Sequence, residues 1–200
     1  MRIAIFGSSF NPPHNGHLNL ITAALRLGLA DRVLLIPAFR PPHKPQTPLV
    51  DFRHRLAMAG LLVAGIDRAA VSDLESRRPE EPSYTFDTMC LLRQEYPHDR
   101  LLLLLGSDSL ADLHLWHRAE ELVAAWPLLV YPRPGHLPGM EDLRQHWTEK
   151  IAQRLIDSIM DLPQSDLSSS AIRVALAQGK VDCRMLPKLI LDYIRENQTK

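Results

Sequence analysis

Residues 2–17 read RIAIFGSSFNPPHNGH. The apolar run Ile3–Phe6 has the character of a short strand buried on both faces. After it Gly7 permits a tight turn, and a helix begins near Asn15. That order sets the first helical N–H groups at the carboxyl end of a sheet, where a phosphate is favourably held. His14 and His17 are three apart at the helix start and share a face, and Gly16 between them lets a backbone or a ligand approach closely. Two imidazoles beside free N–H groups suit charge building on a phosphate in a transition state. A capped turn with two surface histidines is the competing reading. The stretch has neither the GxGxxG spacing nor the Lys-Ser/Thr of a P-loop, and two histidines without a nearby third ligand make a poor metal site.

Working outward, Arg32–Ile36, Arg100–Leu105 and Leu128–Tyr131 repeat the short apolar pattern, with Ala69–Asp73 a weaker instance. Helical periodicity fills the gaps over residues 15–28, 51–64, 84–95 and 117–125. The alternation predicts an α/β fold, a Rossmann-like doubly wound parallel sheet flanked by helices. Another helix is expected over 140–157, a final strand over Ser158–Leu162, and helices over 169–178 and 186–196, with Gly179 as the C′ residue of the first of these two. One domain spanning residues 1–200 is expected, with a small C-terminal helical part from about residue 163. The Pro-rich stretch 37–48 is the long loop near the first half of the sheet, and loops of that length are often functional.

Composition narrows the function. Two hundred residues at 46% hydrophobic suffice for one sizeable core. Lys+Arg and Asp+Glu balance at 23 each, which argues against a nucleic-acid footprint and against a polybasic membrane anchor. Aromatics at 6% leave few platforms for stacking a single strand. Cys90 and Cys183 stand outside any C-x-x-C and read as reduced packing residues. There is no signal-peptide pattern, and the longest apolar run, Leu101–Leu105, is far too short to cross a bilayer. A cytoplasmic protein is expected.

Later segments each carry a chemical reading beside a plainer one. Ser168-Ser169-Ser170 can cap a helix while its hydroxyls and N–H groups face anionic oxygen, and Arg173 one turn inside can fork onto phosphate; a solvated helix start is the alternative. Gly106-Ser107-Asp108 follows the Leu101–Leu105 run at a carboxyl edge, where an acid can accept from ribose hydroxyls or simply cap a helix. Trp116 is either core or a stacking face, and Lys44 either an exposed lysine or a cation over phosphates. Met58 and Met89 read as packing.

Taken together, Gly7-Ser8-Ser9-Phe10-Asn11-Pro12-Pro13-His14-Asn15-Gly16-His17 resembles the signature of the H-x-G-H nucleotidyltransferases, usually Gly-Gly-Thr/Ser-Phe-Asp/Asn-Pro-x-His-x-Gly-His. Further segments follow the order of one branch, the bacterial nicotinate-mononucleotide adenylyltransferases, over nearly the whole chain. They are Pro41-Pro42-His43-Lys44, Ser83-Tyr84-Thr85-Phe86-Asp87-Thr88, Gly106-Ser107-Asp108 with Trp116, Arg133-Pro134-Gly135, and Ser168-Ser169-Ser170-Ala171-Ile172-Arg173.

The resemblance implies adenylyl transfer from ATP to nicotinate mononucleotide, giving deamido-NAD and pyrophosphate, with Mg²⁺ arriving on ATP and no dedicated protein metal site. It implies His14 and His17 as catalytic residues. It places Gly7, Ser8, Ser9, Phe10, Gly16, Gly106, Asp108, Ser168, Ser169 and Arg173 around ATP. Lys44, Thr85, Trp116 and Arg133 fall to the acceptor, Trp116 stacking on the pyridine ring and Thr85 reading its carboxylate. Three positions depart from the pattern: Ser8 where a second Gly is common, Asn11 where Asp is frequent, and His117 where an aromatic follows the Trp. Ser8 would strain the turn if its position needs positive φ. Nicotinamide mononucleotide or phosphopantetheine as acceptor, or nucleotide binding without turnover, are the alternatives, and the oligomeric state is open.

Overall fold

The structure is a computed structural model that describes residues 1–42, 49–162 and 166–197. Five strands, β1 (Arg2–Ser8), β2 (Arg32–Pro37), β3 (Ala69–Val71), β4 (Arg100–Gly106) and β5 (Leu128–Tyr131), form one sheet in the order β3-β2-β1-β4-β5. Every pair is parallel, with Ile5 opposite Leu34 on one side and Leu103 on the other. The chain winds outward from β1 to β3, then crosses back to lay β4 against the free side of β1. The strand order therefore reverses between β1 and β4, and in such sheets a crevice opens at the carboxyl ends of those two strands.

Both faces of the sheet are covered, which is why its strands read as continuous apolar runs. Ile3, Ile5, Leu101 and Leu103 pack with Phe86, Met89 and Leu92 of α3 (Thr85–Glu95), Leu122 of α5 (Ala119–Ala125) and Leu155 of α7 (Glu149–Asp157). The alternate residues Ala4, Phe6, Leu102 and Leu104 pack on the other side. Their partners are Ile21 and Ala24 of α1 (Asn15–Arg26) and Met58 and Leu62 of α2 (Phe52–Val63). Ile172 of α8 (Ser169–Ala177) and Ile190 of α9 (Lys188–Asn197) join the same cluster, so the last helices share the core of the first. Gly179 takes φ 66° just beyond α8, as a C′ glycine does. Among the described residues no helix is long and apolar enough to cross a membrane.

Several local expectations change. β1 runs through Gly7 to Ser8, which pair with Ile36 and Pro37, so neither residue makes the turn. The left-handed residue is Phe10 at φ 47°, an unusual place for a bulky side chain, while Ser8 keeps negative φ and its departure from glycine costs no strain. The helix expected over 140–157 is two, α6 (Met140–Arg144) and α7, because the chain leaves helical geometry to bury Trp147 and restarts from the extended Thr148. The strand expected over Ser158–Leu162 reduces to one parallel bridge, Val130 to Ile159, on the edge of the four-residue β5. β3 stops at Val71 and a 3₁₀ turn, Leu74–Arg77, follows. After β4 come α4 (Ser107–Ala111) and a 3₁₀ turn, Leu113–Leu115, both too short to leave a periodic signal.

Candidate active site

A cavity of about 410 Å³ sits at the carboxyl ends of β1 and β4, where the topology reverses. The N-terminal ends of α1, α3 and α8 all contribute to its wall through His14, Thr85 and Ser168. Helix N-termini carry partial positive charge and unsatisfied N–H groups, so their convergence favours an anionic ligand.

His14 is the N-cap of α1, and its backbone N–H donates to Nδ1 of His17 at 3.1 Å. A nitrogen that accepts is unprotonated, so neutral His17 carries its proton on Nε2. The two rings stack with centroids 3.7 Å apart, and the edge of the Phe10–His17 pair closes the other side at 5.1 Å. His14 is 2% exposed and its Nδ1 is buried with no hydrogen-bond partner. Burial, assisted by the Arg133 guanidinium, pushes its pKa down to about 3, so the imidazole is neutral. An orphaned buried polar atom costs roughly 1–3 kcal/mol. The stack also needs Gly16: a Cβ there would lie 3.0 Å from Cε1 and Nδ1 of His14.

The loop before His14 is fastened from distant parts of the chain. Ser169 Oγ donates to the Pro12 carbonyl at 2.9 Å and Arg173 Nη1 to the Asn11 carbonyl at 2.8 Å. Asn11 Oδ1 accepts from the Val50 amide, and Asn15 donates through its side chain to the carbonyls of Cys183 and Arg184. At the start of α8 the Ser168 hydroxyl caps Ala171. Arg173 also donates to Ser170 Oγ and lines the cavity.

Across the cavity Arg133 ties three segments together. It donates to Asp108 Oδ2 at 2.7 Å and to the Leu167 carbonyl at 2.8 Å, while its backbone N–H reaches the buried Ser107 hydroxyl. Gly106 makes that pair possible, since a Cβ there would collide with the Asp108 carboxylate. The structure thus groups Arg133 with Asp108, His14 and the start of α8. Thr85 is the first residue of α3, whose N-cap Tyr84 offers no side-chain cap, and half-buried Trp116 packs against the core while facing the cavity. His117 stacks on Tyr84 at 4.4 Å.

Of the residues singled out in the sequence, Gly7, Ser8, Ser9, His14, Gly16, His17, Thr85, Gly106, Asp108, Trp116, Arg133, Ser168, Ser169 and Arg173 line this one cavity. Phe10 lies beneath it, fully buried against Phe6 and His17. Lys44 lies outside the described residues. Sequence reasoning missed Ser107, the Leu167 carbonyl and Arg55, a buried cation whose signal was its place on the apolar stripe of α2 with Met58 and Leu62.

The sequence profile described as Cytidylyltransferase-like matches residues 5–175. A protein of Gloeobacter violaceus named "Probable nicotinate-nucleotide adenylyltransferase" is 39% identical over 197 residues, covering 98% of this chain and 94% of its own. A protein of the same name from Pectobacterium atrosepticum is 39% identical over 207 residues, covering 97% and 96%. The chain belongs to the nicotinate-nucleotide adenylyltransferases. Its fold is shared with the nicotinic acid mononucleotide adenylyltransferase of Plasmodium falciparum complexed with NaAD, at TM-score 0.79 and 20% identity over 98% of this chain and 96% of that one.

Members of this family are nucleotidyltransferases, and the cavity suits that chemistry without a protein nucleophile. Among the described residues no group of three His, Cys, Asp or Glu side chains converges to hold a metal ion. Asp108, a cavity-lining carboxylate, is engaged by Arg133. That donor set fits a divalent cation carried in on the triphosphate and bound mainly by phosphate oxygens and water.

Proposed function

We propose that this nicotinate-nucleotide adenylyltransferase joins the magnesium complex of ATP to nicotinate mononucleotide in a single in-line step. An oxygen of the acceptor's 5′-phosphate bonds to the α-phosphorus, the bond from that phosphorus to the bridging oxygen breaks, and pyrophosphate leaves with the electron pair. Mg²⁺ supplies charge neutralisation on the triphosphate. The observation that carries the reading is the convergence of three helix N-termini on one cavity whose wall holds His14 and His17.

In this reading His17, with its proton on Nε2, donates to an α-phosphate oxygen as charge rearranges, and neutral His14 orients beside it. The start of α8 with Ser168, Ser169 and Arg173 holds the β- and γ-phosphates, and Asp108 accepts from the ribose of ATP. Gly7, Ser8, Ser9, Phe10, Gly16 and Gly106 shape the ATP side. The acceptor lies toward Trp116, a face for its pyridine ring, and the first N–H groups of α3 with the Thr85 hydroxyl suit its carboxylate. Arg133 reaches the acceptor phosphate from its station on Asp108, and Lys44 adds a further cation. The chain works as one domain, in the cytoplasm.

Pyrophosphate release tests the reading, measured with ATP and, in turn, nicotinate mononucleotide, nicotinamide mononucleotide, phosphopantetheine or no acceptor. Fastest turnover with the nicotinate is expected. Preference for another acceptor, or ATP binding without pyrophosphate release under any condition, defeats it.

A further inference from the structure

Arg55 is 2% exposed, yet among the described residues no carboxylate lies within ion-pair distance of it. Its guanidinium instead binds three backbone carbonyls from three separate stretches: Val50 at 2.9 Å, Ser9 at 2.8 Å and Ala38 at 2.7 Å. Burying a cation costs far more than burying a methionine of similar length, so simple filling does not account for it. Ser9 belongs to the loop on the ATP side of the cavity.

The Ala38 carbonyl shares a peptide group with the Phe39 amide, and in a trans peptide the two point in opposite directions. The Phe39 N–H donates to Oε2 of Glu75 at 3.1 Å, so a guanidinium grips one end of this peptide and a carboxylate the other. The second oxygen of Glu75 accepts from the Thr88 hydroxyl at 2.8 Å, within the first turns of α3. Next along the chain, Arg40 and Ser83 exchange two further hydrogen bonds. A continuous path of largely charge-assisted bonds thus runs from Ser9, through Arg55, the 38–39 peptide and Glu75, to the helix that begins at Thr85. Ser9 and Thr85 line the same cavity from the two sides assigned above to ATP and to the acceptor.

We propose that Arg55 and Glu75 are positioning residues: gripping opposite ends of the 38–39 peptide, they hold the ATP-side loop and the acceptor-side helix at the spacing that in-line attack requires. The inference rests on the adenylyl-transfer reading for its kinetic consequence. Neither side chain lines the cavity, so substrate affinity is not their task. Misplacing reacting groups by about 1 Å can cost about 10²-fold in rate.

The test uses the full chain with Arg55→Met, Arg55→Lys, Glu75→Ala, Glu75→Gln and the double variant Arg55→Met/Glu75→Ala. Arg55→Met and Glu75→Ala are each expected to lower kcat about 10- to 100-fold while KM for ATP and for nicotinate mononucleotide stays within about 3-fold. Arg55→Lys, which keeps one donor group, should fall between. Glu75→Gln should stay within about 3-fold of the parent, because its amide oxygen accepts from Phe39 and its NH2 donates to the Thr88 oxygen, whose hydroxyl then donates to the Tyr84 carbonyl, so both links of the path are kept. The double variant should be no worse than about 3-fold below the poorer single, as expected for two links of one path.

Hydrogen exchange supplies an arm independent of turnover: amides of residues 9–14 and 85–88 should both exchange faster in Glu75→Ala, although that side chain touches only the second stretch. If Arg55→Met does not fold, Arg55→Lys and Glu75→Ala decide. Unchanged kcat per folded molecule in those variants, or a loss confined to KM or to melting temperature, overturns the proposal. A parent protein with no transfer to nicotinate mononucleotide would sink the proposed function instead, and unchanged exchange at residues 9–14 would then overturn this inference by itself.

Discussion

Mild acid should destabilise this protein through His14, and replacing that side chain by asparagine should remove the effect. The folded-state pKa of His14 is about 3, against 6.5 for an unperturbed imidazole, so between these values the unfolded chain binds a proton that the folded chain excludes. The unfolded state holding more protons means that stability rises with pH across the window and is lost as pH falls from 6.5 toward about 3. With these two values the loss from pH 7 to pH 5 is about 2 kcal/mol, and the side chain is too buried for solvent to screen it much. Urea unfolding of the parent and His14→Asn at both pH values gives the comparison, because titrating groups away from this ring cancel in the double difference. The parent should lose about 2 kcal/mol more than the variant, well outside the error of such extrapolations. Saturating pyrophosphate should shrink that excess, since anionic oxygens beside the ring favour its protonated form. Equal losses in parent and variant would refute a neutral, buried His14.

Three further outcomes are expected from the site. His17→Ala should lower kcat by about 10²–10³ with much less change in ATP affinity, and His17→Asn should recover part of it; near-normal kcat at saturating substrates excludes the catalytic role. Arg173→Ala should weaken ATP use by about 2–3 kcal/mol, or roughly 30- to 150-fold, far more than acceptor use, as steady-state kinetics with each substrate varied will show. Trp116→Ala should raise the acceptor KM by the equivalent of about 1–3 kcal/mol with a modest fall in melting temperature; a large fall with KM intact would return the indole to the core.

The sheet was legible in the sequence because a doubly covered parallel strand advertises itself as an unbroken apolar run, and four such runs stood at the right intervals. The stretch 7–17 and the Ser168–Arg173 segment were legible for a different reason: each sets glycine or serine at a helix start, and the structure brings both starts to the wall of one cavity. What escaped was decided by distant partners. The turn falls to Phe10 rather than Gly7 because ring packing against Phe6 and His17 supports the left-handed backbone, and no local rule anticipates that. Trp147 interrupts a helix whose periodicity runs straight through it, since its burial outweighs propensity. The union of Arg133 with Asp108 spans 25 positions, and that of Arg55 with Ser9 spans 46. Such bonds exist only once the sheet has brought its carboxyl edges together.

The fastening of the Asn11–Asn15 turn has a consequence for how this enzyme comes to be active. Its anchors on Ser169, Arg173 and Cys183 lie 157, 162 and 168 positions away in the chain. At an elongation rate of about 5–20 residues per second, the amino-terminal half of the sheet, complete at Val71, waits roughly 5 to 20 seconds for the segments that brace this turn. The early strands and helices can bury apolar surface during that interval, whereas the turn carrying His14 must wait for residues near the other terminus. The turn that carries His14 is therefore braced late and all together, and a chain halted before residue 169 would retain much of the fold's hydrophobic interior while lacking those braces.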